Sequence, residues 1–274
     1  LDKPGFMNVW IDGLGMDPWG RKMSKSLGNG IDAESVLECG AGGRTGSWKI
    51  KGPQGKQITL QAKKIGSECF RLWKAADAQV GDDFQINPEQ IESRYFGVLT
   101  KIFNVGRFAS QFEYTGALDK IPNHLDNEDK WILAEFANLL DKAKKGYSEL
   151  DIYTAAQGIK TFSTGIFASH WLEMAKTRLY NKDPSATWTL HRIFRDLLSI
   201  LSPICPFFSH YLSTTLYDKS AVEVDEFPQL FISGADEWTS ITKVLVKFNS
   251  TIWKAKKDTA TYLASPISDY KVPD

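Results

Sequence analysis

The chain contains 274 residues, of which 33 are basic and 33 are acidic, so its formal net charge is zero. This balance excludes a global positive field, and the 42% hydrophobic content excludes a disordered chain, so any binding of nucleic acid must be local. Three widely spaced cysteines suit neither a disulfide framework nor a zinc site, and no apolar run reaches the length of a membrane span, so we expect a cytoplasmic protein with no membrane partner.

The first predicted element is a buried strand over Phe6–Asp12, because this run is rich in β-forming residues and ends at a glycine. The chain starts at Leu1 and enters that element almost at once, so we expect it to be a fragment of a longer protein. A glycine-rich loop follows over Leu14–Ile31, and Asp32 is expected to cap a short helix.

Residues 44–66 have a different pattern of polar and apolar residues from the rest of the chain. Polar and apolar side chains alternate on either side of a turn at Gly52–Gly55, a pattern that predicts a β-hairpin. This hairpin carries one tryptophan and five lysines: Trp48, Lys49, Lys51, Lys56, Lys63 and Lys64.

Beyond Asn87 the apolar spacing is helical nearly to the end of the chain. The predicted helices begin at Asn87 and near Asp126, and then span Asp151–Tyr180, Ser185–Leu201, Phe207–Tyr217 and Asp236–Tyr262. Amphipathic helices with short connections pack most simply as an antiparallel bundle, with Trp131, Trp171 and Phe207 expected in its core.

The strongest candidate site lies in the glycine-rich loop. Lys22 and Lys25 are three residues apart among small side chains, which makes a mobile cationic clamp suited to a triphosphate. On composition alone, a basic loop that simply faces solvent would be the better interpretation.

The five residues Lys22–Ser26 resemble the KMSKS signature of the class I aminoacyl-tRNA synthetases, and the extension Leu27–Asn29 resembles the Val/Ile/Leu subgroup. The resemblance implies that this loop closes over ATP, which enters with Mg2+ as a substrate of the full-length enzyme. It implies that Lys25, and to a lesser degree Lys22, contact the phosphates as catalytic residues. Met23, Ser24 and Ser26 would complete the ATP-binding loop.

The resemblance continues downstream of the loop. Phe70–Trp73, Asn104–Phe108, His170–Tyr180 and Ser202–Phe207 are similar to segments of the same subgroup. They resemble the valyl branch most closely and the isoleucyl branch next.

This family implies a mostly α fold, in which an antiparallel helical bundle of the class I anticodon-binding type follows a small α/β linking subdomain with an inserted β-hairpin. We therefore expect the end of a catalytic domain and the linking subdomain in residues 1–86, and a tRNA-binding domain in 87–274. The partner is tRNA, while ATP and the amino acid would bind through a catalytic domain outside this chain. We expect a monomer with no metal site and no cofactor bound by this chain alone.

Two assignments stay open at this stage. Arg107 and Arg178 are expected to contact tRNA phosphates, although arginines in helical bundles more often pair with carboxylates. The hairpin either contacts the tRNA or braces the lysine loop. A protein-interaction bundle without aminoacylation is the alternative function, but a pure scaffold has no physical need for a phosphate clamp.

Overall fold

The computed structural model describes residues 5–40, 43–218 and 226–258, and this part of the chain is mostly helical. Residues 259–262, at the end of the last predicted helix, lie outside the described ranges. None of the described helices is both long enough and apolar enough to cross a lipid bilayer.

Short elements make up the first 86 residues. In chain order they are β1 (Gly15–Met16), α1 (Ala33–Glu38), β2 (Gly46–Lys51), β3 (Gln57–Ala62), α2 (Gly66–Asp77) and β4 (Phe84–Gln85). Strand β1 pairs in parallel with β4, and the side chain of Asp32 caps α1 by accepting from the Ser35 backbone N–H at 2.8 Å. The return of the chain to β4 therefore fixes the start of the lysine loop.

The prediction of a buried strand over Phe6–Asp12 is wrong. These residues form no strand, and the side chains of Phe6, Met7 and Val9 are 77%, 93% and 72% exposed. A strand requires a neighbour for its backbone hydrogen bonds, and no strand of the described ranges pairs with this run. A preference for β structure is not sufficient without such a partner.

Strands β2 and β3 pair in antiparallel register, with Trp48 opposite Leu60 and Ile50 opposite Ile58. Trp48, Ile50 and Leu60 are buried against the core. The intervening residues of both strands face outward and are exposed. Because successive side chains of a strand point to opposite faces, the strict alternation in the sequence produces one apolar and one polar face.

Helices fill most of the remaining chain. They are α3 (Pro88–Ile91), α4 (Gly97–Ala109), α5 (Asn127–Ser148), α6 (Ile152–Thr161), α7 (Leu172–Tyr180), α8 (Pro184–Leu201), α9 (Pro206–Tyr217), α10 (Ala235–Ser240) and α11 (Thr242–Asp258). Asn87, Asp151 and Asp183 cap α3, α6 and α8 with their side chains. Short polar side chains satisfy the free N–H groups of a first helical turn, which explains these starting points.

Two π-helical segments interrupt the helices, Glu92–Phe96 before α4 and Phe162–Trp171 between α6 and α7. Within the second segment, the Thr164 carbonyl accepts hydrogen bonds from Lys101 Nζ at 2.6 Å and from Ser169 Oγ at 2.7 Å. The helix predicted over 151–180 is thus one helical run with a wider middle, where a lysine of α4 uses a carbonyl oxygen.

The core contains Trp131 and Trp171 as predicted, both fully buried, together with Phe136. The prediction for Phe207 is wrong, because its side chain is 71% exposed. Helix α9 buries Ser209 and Leu212 instead, and position 207 falls on the opposite side of that helix. Its apolar character alone does not determine which face it occupies.

The short elements and the helices share one hydrophobic core. The Glu68 carboxylate of α2 accepts a hydrogen bond from the Phe208 backbone N–H at 2.9 Å, and Gln157 of α6 donates to the Ala76 carbonyl. The part that carries the lysine loop is therefore fixed to the helical part by packing and hydrogen bonds.

Replacing Phe136 by alanine removes a fully buried ring, so we expect a loss of about 3–5 kcal/mol in the free energy of unfolding. Denaturant titration followed by circular dichroism measures this loss. Phe207→Ala is the matched control, since it removes the same ring from an exposed position and should stay within about 0.5 kcal/mol of the original chain. Equal losses in the two variants would contradict this assignment of the core.

Candidate functional site

The lysine loop is built on the buried carboxylate of Asp17. Its Oδ1 accepts from the backbone N–H groups of Trp19 and Arg21, both at 3.0 Å. Its Oδ2 accepts from Arg21 Nε at 2.8 Å and from Asn29 Nδ2 at 3.0 Å. One side chain therefore holds residues on both sides of the five-residue motif.

Asn29 closes the loop from the other end. Its amide nitrogen also donates to the Lys22 carbonyl at 3.1 Å, and its Oδ1 accepts from the Ser24 backbone N–H at 3.0 Å. Within the loop, Ser24 Oγ accepts from the Leu27 backbone N–H at 3.2 Å. These bonds engage the main chain of the motif and leave its lysine side chains outside the network.

The side chains of Lys22 and Lys25 are exposed, and neither ammonium group has a hydrogen-bond or ion-pair partner among the described residues. Met23 and Ser24 are half-buried, while Ser26 is exposed. The loop thus presents two cations on a hydrogen-bonded main chain, an arrangement that can receive an anion such as a phosphate.

The hairpin holds the base of the loop through one residue, Lys51. Arg21, just before the motif, donates from its guanidinium to the Lys51 carbonyl. Gly28, just after the motif, accepts from the Lys51 backbone N–H at 2.9 Å. Gly28 has a φ of +60°, a conformation that glycine adopts without strain. Both ends of the motif are therefore tied to the end of β2.

Burial alone would raise the pKa of Asp17, but the hydrogen bonds from Asn29, Arg21 and Trp19 outweigh it and hold the pKa below its usual value. The carboxylate is therefore ionised at neutral pH. An ionised acceptor strengthens the bonds that fix the loop.

Arg178, predicted to contact tRNA, lies among four carboxylates. Its guanidinium pairs with Asp126 at 2.6 Å, Glu128 at 3.1 Å, Asp129 at 2.5 Å and Asp183 at 3.0 Å, and the side chain is only 18% exposed. This is the carboxylate pairing that the sequence left open. Because both terminal nitrogens of Arg178 are already hydrogen-bonded and its charge is neutralised, this guanidinium is not available to a tRNA phosphate.

Asp126, Asp129 and Asp183 place carboxylate oxygens within 4.8 Å of one another, a spacing that could hold a metal ion. Arg178 pairs with all three, so the cation in this cluster is the guanidinium.

Arg107 lies on α4 with its side chain exposed and without an ion-pair partner in the described ranges. One turn further on, residues 110–116 and the end of α7 line a groove of about 700 Å3. Tyr180 borders this groove with 62% of its surface exposed, and its ring meets that of Phe112 with centroids 5.5 Å apart. A free guanidinium thus lies near a groove with an accessible aromatic ring.

Comparison with protein families matches two models to this chain. Residues 1–87 match the class I tRNA synthetases for isoleucine, leucine, methionine and valine, and residues 129–270 match the anticodon-binding domain of tRNA ligases. The chain belongs to the class I tRNA ligases. The lysine loop falls within the first of the two matches.

Valine–tRNA ligase of Aeropyrum pernix is 32% identical over 283 residues, which cover 98% of this chain and 30% of that relative. The valine–tRNA ligase of Nanoarchaeum equitans is 29% identical and covers 97% of this chain and 31% of that relative. These relatives confirm the predicted resemblance to the valyl branch. The chain spans about 30% of the length of these relatives.

Among solved structures, the chain resembles LeuRS of Agrobacterium radiobacter K84, determined in a ternary complex with tRNA and LeuAMS. The TM-score is 0.57 at 16% identity, over 83% of this chain and 24% of that one. A likeness at this identity supports the fold only.

The sequence did not single out Asp17 or Tyr180. Asp17 begins an Asp-Pro-Trp-Gly sequence, a common composition for a type I turn, and Gly20 N–H does bond to the Asp17 carbonyl at 2.9 Å. The turn could therefore be predicted from these four residues, whereas the hydrogen bond between Asp17 and Asn29 depends on the folded loop. In the sequence, Tyr180 marks only the end of a predicted helix and of one segment similar to the synthetase subgroup.

Replacing Asp17 by asparagine removes the ionised acceptor, so we expect the amides of Trp19, Arg21 and Ser24 to exchange with solvent faster. Hydrogen bonds to charged groups contribute about 1.5–3 kcal/mol, which sets the expected drop in the opening free energy measured by native-state hydrogen exchange. Asp82→Asn is the control, since that side chain is exposed and makes no hydrogen bond within the described ranges. Unchanged protection in Asp17→Asn would remove Asp17 from this role.

The lowered pKa of Asp17 also gives the pH dependence a definite sign. The stabilisation is complete above the unfolded value of about 3.9 and is lost as the pH falls through the lower folded pKa. We therefore expect protection of the Trp19 and Arg21 amides, corrected for intrinsic exchange, to persist at pH 4 and to fall at lower pH. Loss of that protection already at pH 5 would contradict the assignment.

Arg178→Met leaves the buried Asp129 carboxylate without its cation, so we expect a loss of about 3–5 kcal/mol in the free energy of unfolding. Arg107→Met is the matched control, because it removes an exposed and unpaired guanidinium and should change stability by no more than about 0.5 kcal/mol. Denaturant titration measures the free energy of unfolding of both variants. Similar losses in the two would contradict the assignment of Arg178 as the paired and Arg107 as the unpaired arginine.

Proposed function

We propose that this chain is the KMSKS-bearing and tRNA-binding part of a valine–tRNA ligase. In the complete enzyme it would serve ATP-dependent activation of valine and transfer of valine to tRNA. The observation that carries the proposal concerns Lys22 and Lys25. Their ammonium groups are exposed and have no partner among the described residues, on a loop that Asp17 and Asn29 fix within the part of the chain that matches the class I family.

The chemical role of the loop follows from where charge develops. In activation, a carboxylate oxygen of the amino acid attacks the α-phosphorus of ATP, and pyrophosphate leaves with the electrons of the broken P–O bond. Negative charge therefore increases on oxygens of the α-phosphate and of the leaving group. An ammonium group placed on these oxygens stabilises the transition state more than the ground state, and we assign this role first to Lys25 and then to Lys22.

The helical region supplies the proposed tRNA contacts. Arg107 is exposed and unpaired in the described part of the chain, so its guanidinium is available for a phosphate. Tyr180 offers an accessible ring beside the groove, and RNA bases stack on exposed aromatic rings. The match of residues 129–270 to an anticodon-binding domain supports tRNA as the partner.

The finer organisation belongs to the same proposal. Residues 1–86 form the end of a catalytic domain and a linking subdomain, and residues 87–274 form an antiparallel bundle of the anticodon-binding type. We propose a cytoplasmic monomer that takes ATP with Mg2+ as a substrate. The three cysteines are free and buried, which supports a reducing compartment.

The alternative, a protein-interaction bundle without aminoacylation, requires no free cations on a fixed loop. It also gives no reason for a buried carboxylate beneath the loop. The two functions differ in whether Lys25 matters to a reaction.

In a full-length protein that carries this chain with its catalytic domain, Lys25→Ala should lower the rate of valine-dependent ATP–pyrophosphate exchange by more than tenfold. The KM for ATP should change much less, since the contact forms mainly in the transition state. Lys144→Ala, on an exposed position of α5, is the charge-matched control and should leave the rate unchanged. An unchanged rate in Lys25→Ala would show that Lys25 does not stabilise the transition state. The 274-residue chain alone should show no exchange.

Binding of a valine tRNA by this chain should weaken as salt rises, since phosphate contacts release counterions. Arg107→Gln should lower the affinity and reduce the salt slope by about 0.7–0.9. Lys145→Gln removes one positive charge from α5 and should leave the slope unchanged. Fluorescence titration at several salt concentrations measures these values, and the absence of any salt-dependent binding would favour the alternative.

A further inference from the structure

The charge of this chain is balanced overall but not locally. Residues 43–66, which contain the hairpin, hold six basic residues and no aspartate or glutamate, in a chain with 33 acidic residues. The six are Arg44, Lys49, Lys51, Lys56, Lys63 and Lys64. Residues 18–31, which contain the lysine loop, add three more basic residues and again no acid.

The pleat of the hairpin collects polar groups on one face. Its outward side chains are all exposed and all neutral or basic: Ser47, Lys49, Lys51, Gln57, Thr59 and Gln61. In the register of the sheet, Lys49 lies opposite Thr59 and Lys51 opposite Gln57. Alternate residues of a strand are about 7 Å apart, so the face presents regularly spaced donors.

Four of the six cations have no side-chain partner among the described residues. Arg44 pairs with Glu38 at 3.2 Å, and Lys64 lies over the Phe96 ring at 5.3 Å. The ammonium groups of Lys49, Lys51, Lys56 and Lys63, in contrast, make no ion pair or hydrogen bond within the described ranges. They are therefore available to an outside anion.

The contacts that brace the lysine loop do not use these side chains. Lys51 bonds to Gly28 through its backbone N–H and to Arg21 through its carbonyl. Glu89 and Glu92 bind main chain at the end of the other strand, by accepting from the N–H groups of Gln61 and of Lys63, which follows the strand directly. Bracing thus explains why the hairpin sits beside the loop, but it leaves the polar face without a role.

We propose that this outer face binds the sugar–phosphate backbone of RNA without reading its sequence. Lysines contact phosphates as point charges, and hydroxyl and amide side chains bind phosphate and sugar oxygens, so the face contains both kinds of group. A face that is merely solvated usually mixes both signs of charge, whereas this one carries only positive charge. The inference rests on the proposed function for its assumption that the ligand is a tRNA.

The test compares two triple variants of this chain that remove the same charge. In the hairpin variant, Lys49→Gln, Lys51→Gln and Lys56→Gln are combined. The control variant combines Lys142→Gln, Lys144→Gln and Lys145→Gln, three exposed lysines of α5. Affinity for a valine tRNA and for an unrelated tRNA is measured over a range of salt concentrations, and thermal unfolding checks that both variants are folded.

We expect the hairpin variant to reduce the salt slope by about 2 to 3, at about 0.7–0.9 for each phosphate contact, and by the same amount with both tRNAs. The control variant should leave the slope unchanged, and arginine at the three hairpin positions should preserve it. If the triple variant unfolds, Lys49→Gln and Lys51→Gln are measured singly and should each reduce the slope by about 0.7–0.9.

A hairpin variant that changes the slope no more than the control overturns the inference. If Arg107→Gln still weakens binding in that case, the proposed function stands without the hairpin contact. If the original chain shows no salt-dependent binding of tRNA, the hairpin contact and the proposed tRNA partner fail together.

Discussion

The helical part of this protein depends on the ion pair between Asp129 and Arg178. Asp129 is completely buried and accepts from Trp171 Nε1 at 3.0 Å, from Ser185 Oγ at 2.6 Å and from both terminal nitrogens of Arg178. Its carboxylate thereby joins α5 to the π-helical segment, to α7 and to the first turn of α8. A buried charge is tolerated only when it is paired and fully hydrogen-bonded, so these elements must assemble together.

The cations of the described residues fall into two groups, those that pair with a carboxylate and those that do not. In the helices, guanidinium groups are neutralised by carboxylates, as with Arg178 and with Arg192, which pairs with Asp196 at 2.7 Å. At the loop, Asp17 pairs with Arg21 and binds main-chain N–H groups, while the ammonium groups of Lys22 and Lys25 have no partner among the described residues. A chain with zero net charge can in this way combine a stable core with a local surface for anions.

Features that depend on residues close together in the chain could be predicted from the sequence, whereas features that depend on distant residues could not. Helix starts such as Asn87 are local, since one side chain and the next three residues determine them, and the hairpin follows from strict alternation. The wider helical turn at Thr164 depends on Lys101, 63 residues earlier in the chain. The partners of Arg178 come from two separate segments, residues 126–129 and Asp183, so no local pattern distinguishes it from the exposed Arg107.

The hairpin both braces the lysine loop and presents cations on its outer face. Its backbone groups lie in the plane of the sheet, where Lys51 holds the loop at Gly28 and where Glu92 holds the other strand at Lys63. Its side chains leave perpendicular to that plane, where Lys49 and Lys51 are exposed and have no partner in the described ranges. A strand can therefore fix a loop and present cations at the same residue, because the two sets of groups point in different directions. A helix cannot do this, since its backbone N–H and C=O groups are used internally except at its ends.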